Sequence, residues 1–307
     1  MTRRLNVLIL ALLVLIGAPY YWYLLDNRPG DVPPKAVTIA QLRQLASARP
    51  GPAPKAVEVE LVSFRRVPGT LFAAGIGLKR RLIGVMVWRL PVDGTGPIVI
   101  DSGLDAQAAE SMGMESFNHA AWGHVKTALA ESSLTLITHE HPDHLGGLLS
   151  WAGPSAFAKA QLNGPQQIAA AKQLDVPVRD AATVAVGAPF AVAPGVVAIP
   201  AASHTPGSQM IFVRLADGRE YLFTGDIATL THSWRELRAR SRLVGAVLAP
   251  EDRREVYAWL KTIRALKVEA PRLIILTGHD YEAVFDRDHP TGVKNGFSLS
   301  QINAARP

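Results

Sequence analysis

Thr138-His139-Glu140-His141-Pro142-Asp143-His144 follows directly on an apolar segment, Leu134-Thr135-Leu136-Ile137, that reads as a buried strand. Four potential metal ligands therefore fall within six residues at a strand end. Imidazoles at His139 and His141, two apart on extended backbone, project from one side and can grip one ion. Asp143 and His144 come after a proline and just before Leu145-Gly146-Gly147, where the sequence predicts that the chain turns. Neighbouring side chains on a turn point differently, so this pair can serve a second ion close by. The run predicts a two-metal site built where a strand passes into a loop.

Other segments extend the pattern in chain order. Ile98-Val99-Ile100-Asp101-Ser102-Gly103 reads as a strand followed by a tight turn. Downstream come Ser203-His204-Thr205-Pro206-Gly207-Ser208, Phe223-Thr224-Gly225-Asp226 and Leu276-Thr277-Gly278-His279-Asp280. Together with the H-x-H-x-D-H run and its Leu-Gly-Gly continuation, these segments resemble the metallo-β-lactamase superfamily of hydrolases over roughly residues 57 to 285. Their motifs look most like the acyl-homoserine lactonase and glyoxalase II-like group.

The resemblance implies an α+β fold, an αββα sandwich with metals at the sheet edge. It implies that His139, His141 and His204 hold one ion and that Asp143, His144 and His279 hold a second, with Asp226 bridging. Asp143 and Asp226 are then the catalytic carboxylates. Imidazole and carboxylate donors without sulfur suit two zinc ions, with iron or manganese as alternatives. The implied reaction is attack on a carbonyl, of a lactone or ester above all, by a hydroxide bridging the metals. Thioester or β-lactam cleavage is the alternative within the fold, and a catalytically silent metal-binding or sensing protein the alternative outside enzymes. The chain departs from the lactonases at Thr229, where they typically carry a tyrosine that helps polarise the lactone carbonyl.

Supporting residues are predicted around the ligands. Asp101, at a strand end, is expected to orient a ligand histidine by accepting its free N–H. Thr138, Ser203 and Thr224 are expected to shape the ligand loops. His232, Trp234 and Tyr281 are candidates for the substrate mouth. His119, His124 and His289 lack any ligand context, and Met112 and Met114 read as packing residues.

Composition bounds the alternatives. The chain has 307 residues, a net charge of +6 and no cysteine. Disulfides, thiolate ligands, a cysteine nucleophile and lipoprotein acylation are thereby excluded. Basic residues are scattered, as in Arg65-Arg66 and Arg80-Arg81, and no aromatic-interleaved basic stripe points to nucleic acid. The expected partners are a small-molecule substrate and a membrane.

The membrane expectation comes from the amino terminus. Leu5 to Leu25 carries no charge, Val7 to Ile16 is densely aliphatic, and Tyr20-Tyr21-Trp22-Tyr23 reads as an aromatic belt. About twenty helical residues suffice to cross a bilayer core. Arg3 and Arg4 precede the stretch, which places the terminus in the cytoplasm and the remainder on the periplasmic side. A cleaved signal releasing the protein to the periplasm is the rival; it lacks a small-x-small site, since Pro19 follows Ala18. Residues 1–28 are thus read as an anchor or signal. Residues 29–54 are read as a proline-rich linker holding the catalytic body off the membrane, with a short helix at 38–48. Residues 55–307 form the hydrolase domain. Within it, Ala216-Asp217-Gly218-Arg219 predicts a hairpin, and 251–267 has the apolar spacing and charge order of a helix.

Overall fold

Alternate residues of Val196-Val197-Ala198-Ile199 are buried in different cores, the pattern of a strand covered on both faces. The same holds for Met210 to Val213 and for Tyr221 to Phe223. In the computed structural model, which describes residues 3–151, 158–174 and 187–298, these strands belong to the second of two packed sheets.

The first sheet contains β1 (Glu58–Pro68), β2 (Arg80–Leu90), β3 (Ile98–Ile100), β4 (Ser116–Phe117), β5 (Leu134–Leu136) and β6 (Ala160–Gln161). The second contains β7 (Phe190–Ala193), β8 (Val196–Pro200), β9 (Gln209–Arg214), β10 (Glu220–Phe223) and β11 (Ile274–Leu276). A last strand, β12 (Lys294–Asn295), returns to the edge of the first sheet beside β1. The orders are β12-β1-β2-β3-β5-β6, with β4 also on β1, and β11-β10-β9-β8-β7.

The inner faces share one core, in which Val59, Met86, Trp88 and Leu136 meet Ile211, Val213 and Phe223. Trp88 and Phe223 cross it edge-to-face at 5.3 Å. Helices cover both outer faces. On the first sheet, α4 (His119–Glu131), α5 (Pro142–Trp151) and α6 (Gly164–Leu174) bury Val125, Leu129, Leu145 and Ala170 against Val62, Val87 and Val99. On the second, α2 (Ile39–Ala46) and α8 (Arg253–Glu269) pack Leu42, Val256, Leu260 and Ile263 on Val197, Ile199 and Phe212. The layers run helix, sheet, sheet, helix. The remaining helices are the long α1 (Arg3–Tyr20) at the amino end and the short α3 (Ala106–Ser111), α7 (Thr231–Arg235) and α9 (Tyr281–Val284).

Helix ends follow local capping rules. Thr38, Asp105, Asn118 and Asp252 each accept a first-turn backbone N–H. Helix α8 therefore starts at Arg253 and not at Glu251 as its acidic start suggests. The expected turn at Leu145-Gly146-Gly147 is instead the interior of α5, with Pro142 in its first turn. Packing explains the glycine: a Cβ on Gly147 would lie 2.0 Å from the Ser102 carbonyl oxygen.

Residues 29–54 do not behave as a spacer. Lys261 Nζ donates to the Val32 carbonyl, and Lys35 N donates to Thr262 Oγ1 at 2.7 Å. Ile39 N donates to the Glu269 carboxylate at 3.1 Å. Ile39, Leu42 and Ala46 are buried in the core beneath α2. The prolines keep the strand-like stretch extended, and its few apolar side chains suffice to strap it along α8 and onto the second sheet.

Candidate metal centre

Parallel pairing places the ligand loops. β3 and β5 run parallel with Ile100 opposite Leu136, so Asp101 and Thr138 leave the first sheet side by side. β10 and β11 run parallel with Phe223 opposite Leu276, so the loops bearing Asp226 and His279 leave the second sheet together. His204 sits in the connection between β8 and β9. Gln209 N donates to the Thr138 carbonyl at 2.8 Å, and Glu140 accepts from Thr205 Oγ1 at 2.7 Å and from Gly207 N at 3.0 Å. Glu140, between the two early histidines, thus ties their loop to that of His204.

The seven expected ligands converge in two groups. Donor atoms of His139, His141, His204 and Asp226 lie within 4.8 Å of one another, as do those of Asp143, His144 and His279. Asp226 joins the groups: Oδ1 is 2.9 Å from His279 Nε2 and 3.7 Å from His144 Nε2, and Oδ2 is 3.7 Å from His204 Nε2. Six of the seven are buried, and the less buried His141 marks the open side.

Outer hydrogen bonds fix how four of the rings point. His144 Nδ1 donates to Asp101 Oδ2 at 2.8 Å, His279 Nδ1 to the Gly84 carbonyl at 2.8 Å, and His204 Nδ1 to Glu251 Oε2 at 2.8 Å. His139 Nδ1 lies 3.2 Å from Thr138 Oγ1. Each of the four therefore turns Nε2 inward. Asp101 also accepts from Thr138 N at 2.7 Å. It holds this position with φ of 61°, a left-handed conformation that aspartate tolerates better than most residues.

The donor set fits cations. His139 Nε2 and His204 Nε2 each face His141 Nδ1 at 3.1 Å, and one proton on His141 could serve only one of those contacts. Asp226 Oδ1, although buried, makes no well-directed hydrogen bond, only the 2.9 Å contact with His279 Nε2. Burial, followed by neighbouring positive groups, holds His139 and His204 well below the ordinary histidine pKa, so both present lone pairs. Burial also works against charge on His144, but Asp101 and Asp143 outweigh it and push its pKa up to about 10. His279 is raised in the same way, chiefly by Asp226 against burial. The inward nitrogens of His144 and His279 therefore favour positive charge, while those of His139 and His204 stand as lone pairs. Burial opposes ionisation of Asp226 too, yet His279 and Arg240 keep its carboxyl well below the ordinary aspartate value.

Two residues of this site are not marked by the sequence motifs. Arg240 is buried, donating from Nη2 to Asp226 Oδ2 at 2.7 Å and from Nε to Thr229 Oγ1 at 3.0 Å. Glu251 backs His204 and lies 3.8 Å from Arg240 Nε; burial, partly offset by Arg240, raises its pKa to about 7. A periodic charge pattern made Glu251 look like the solvated start of a helix, and Arg240 stands in a stretch with no motif at all. The one available signal was Thr229 itself, whose small side chain leaves room for a guanidinium.

The expected mouth residues lie elsewhere. Trp234 is buried in the core beneath α8. His232 joins Arg81, Arg235, Lys267 and Arg272 around a cavity of about 660 Å³ whose lining contains none of the seven ligands. Tyr281 donates its hydroxyl to Asn295 Oδ1 and packs edge-on against Phe285. His204 and Glu251 instead border a cavity of about 390 Å³, together with Ser203, Thr205 and Pro250. His124 pairs with Glu60, and His289 with Asp286, away from the cage.

Comparisons with known proteins agree with this fold. The profile of the Beta-lactamase superfamily domain matches residues 97–276. No curated protein sequence matches the chain. Among solved structures, an N-acyl homoserine lactone hydrolase with N-hexanoyl-L-homoserine bound at its catalytic metal center shares the fold at a TM-score of 0.58. Identity there is 16%, over 75% of this chain and 95% of that one. A B. thuringiensis protein with N-decanoyl-L-homoserine at its active site gives the same values. A probable metal-dependent hydrolase from Staphylococcus aureus aligns at a TM-score of 0.52 with 15% identity, over 74% of this chain and 90% of that one. The chain belongs to the beta-lactamase superfamily and is a metal-dependent hydrolase.

Proposed function

We propose that the protein is a two-metal hydrolase that opens a lactone or ester, with both ions held by the seven converging side chains. The observation that carries this reading is the cage itself, with the inward nitrogens of four rings fixed by partners outside it. His139, His141 and His204 would hold one cation, Asp143, His144 and His279 the other, and Asp226 both. When bound, zinc supplies Lewis acidity and lowers the pKa of water to about 7; iron or manganese suits the same donors. Asp226 is clamped by Arg240 and so presents its carboxylate in one orientation. Asp143 Oδ2, 3.5 Å from His279 Nε2, would take the attacking water's proton and return it to the leaving oxygen. Thr229 Oγ1 is occupied by Arg240 and does not stand in for a carbonyl-polarising tyrosine.

A substrate panel on the full-length protein tests this reading. Lactones and aryl esters are expected to turn over ahead of thioesters and β-lactams. A preference for thioesters or β-lactams would replace the lactone assignment while leaving metal-dependent hydrolysis intact.

The amino-terminal helix supports anchoring of the catalytic body on the periplasmic side of a membrane. Arg3–Leu25 is one helix long and apolar enough to cross, and its most apolar eighteen-residue window is not buried by the body. At 1.5 Å per residue its 23 residues span roughly 35 Å. Membrane fractionation with a carboxyl-terminal reporter tests it: full-length protein should pellet with membranes, and recovery in the soluble fraction alone would remove the anchor.

A further inference from the structure

The apolar helix ends in a fixed joint. The Leu24 carbonyl accepts from Thr70 Oγ1 at 2.7 Å and from Gly75 N at 3.1 Å, and the Asn27 carbonyl accepts from Ala239 N at 3.2 Å. The Arg242 guanidinium lies 3.9 Å over the Trp22 ring and pairs with Asp26 at 2.6 Å. Arg253 Nη2 donates to the Asp26 carbonyl at 2.8 Å. Residues 22–27 are therefore held by two segments of the catalytic body, 69–78 and 238–253.

Those same two segments carry exposed apolar side chains. Leu78 is 59% exposed, Val247 57% and Leu248 67%. Lys79, exposed beside Leu78, begins the basic run Lys79-Arg80-Arg81. Other exposed large apolar residues of the body, such as Ile168 on α6 and Val268 at the end of α8, stand apart from the joint. Apolar side chains with flanking lysine and arginine, continuous with an aromatic helix end, match the boundary between lipid headgroups and acyl chains.

We propose that Leu78, Val247 and Leu248, with Lys79 beside them, seat the catalytic body directly on an anionic bilayer surface around the end of the helix. This rests on the anchor reading above. It replaces the picture of a body held away on a spacer. The consequence for the site is a defined orientation, because Arg240, which holds Asp226, lies in the same segment as Arg242 and the apolar pair.

The absence of cysteine from the chain gives a clean test. Single substitutions Leu78→Cys, Val247→Cys and Leu248→Cys in the full-length protein would each carry an environment-sensitive fluorophore. Ile168→Cys and Val268→Cys serve as body controls and Leu12→Cys as the helix control. Each is reconstituted in phosphatidylethanolamine and phosphatidylglycerol vesicles with brominated acyl chains. The proposal expects blue-shifted emission and its loss to bromine at 78, 247 and 248, and neither change at 168 or 268. Quenching at 12 with 78, 247 and 248 matching the body controls would overturn the seated surface and leave the anchor standing. An unquenched label at 12 would overturn both.

Discussion

Arg240 Nη2 and Asp226 Oδ2 lie 2.7 Å apart, both side chains being nearly withdrawn from solvent. The guanidinium thus balances the carboxylate that joins the two halves of the cage. It also bonds Thr229, three residues beyond Asp226, so one side chain pins both ends of that turn. Removing one partner of a buried pair leaves the other charge stranded and costs about 3–5 kcal/mol. Arg240→Ala should accordingly lower stability by that order and reduce turnover sharply, as read by chemical denaturation and steady-state kinetics. Wild-type values for both would show that Asp226 needs no clamp.

Asp101 bonds His144, one of the proposed second group of ligands. Partners of this kind typically matter by roughly 10–100-fold in metal affinity. Asp101→Ala should weaken metal retention by that order in a competitive chelator titration, and it also loses a side chain suited to the left-handed backbone at this position. Asp101→Asn keeps the backbone preference while surrendering the charge, so it should fall between the two. Equal affinity in all three proteins would separate Asp101 from ligand orientation.

Gly278 precedes a ligand and touches another. A Cβ there would lie 2.2 Å from Asp226 Oδ1 and 2.9 Å from the Gly225 backbone. Gly278→Ala should therefore displace Asp226 and cost most of the activity while the fold, measured by circular dichroism, stays native. Full activity in this variant would mean that the loop has slack the packing does not suggest.

Glu251 supports His204 and faces Arg240. Glu251→Gln retains an oxygen for His204 Nδ1 and removes the charge, whereas Glu251→Leu removes both. The expected order of metal affinity is wild type, then the glutamine variant, then the leucine variant. A leucine variant equal to wild type would assign Glu251 to packing alone.

Local sequence carried the strands well, because each depends on neighbouring residues. Leu134 to Leu136 forms the short strand that its apolar run suggests, and the histidine run begins just beyond it in a bend. The pairs Ile100–Leu136 and Phe223–Leu276, which bring the Asp101 loop beside the His139 run and the Asp226 loop beside that of His279, are long-range registers that no local pattern encodes. Gly146-Gly147 was misleading for a related reason. Glycine there serves a close approach to Ser102 and not a turn. The proline-rich stretch looked like a spacer because its contacts, Lys35 to Thr262 and Ile39 to Glu269, reach more than two hundred residues along the chain. Arg240 and Glu251 were invisible on the same grounds, since their roles exist only once His204 and Asp226 are folded beside them.

Hydrolysis should depend on two cations held by the seven side chains. Elemental analysis of the full-length protein, purified without added metal and assayed on the same sample before and after chelation, tests it most directly. About two transition-metal ions per chain are expected, with activity lost on their removal and regained with zinc. Undiminished hydrolysis by protein that contains no metal would contradict the account.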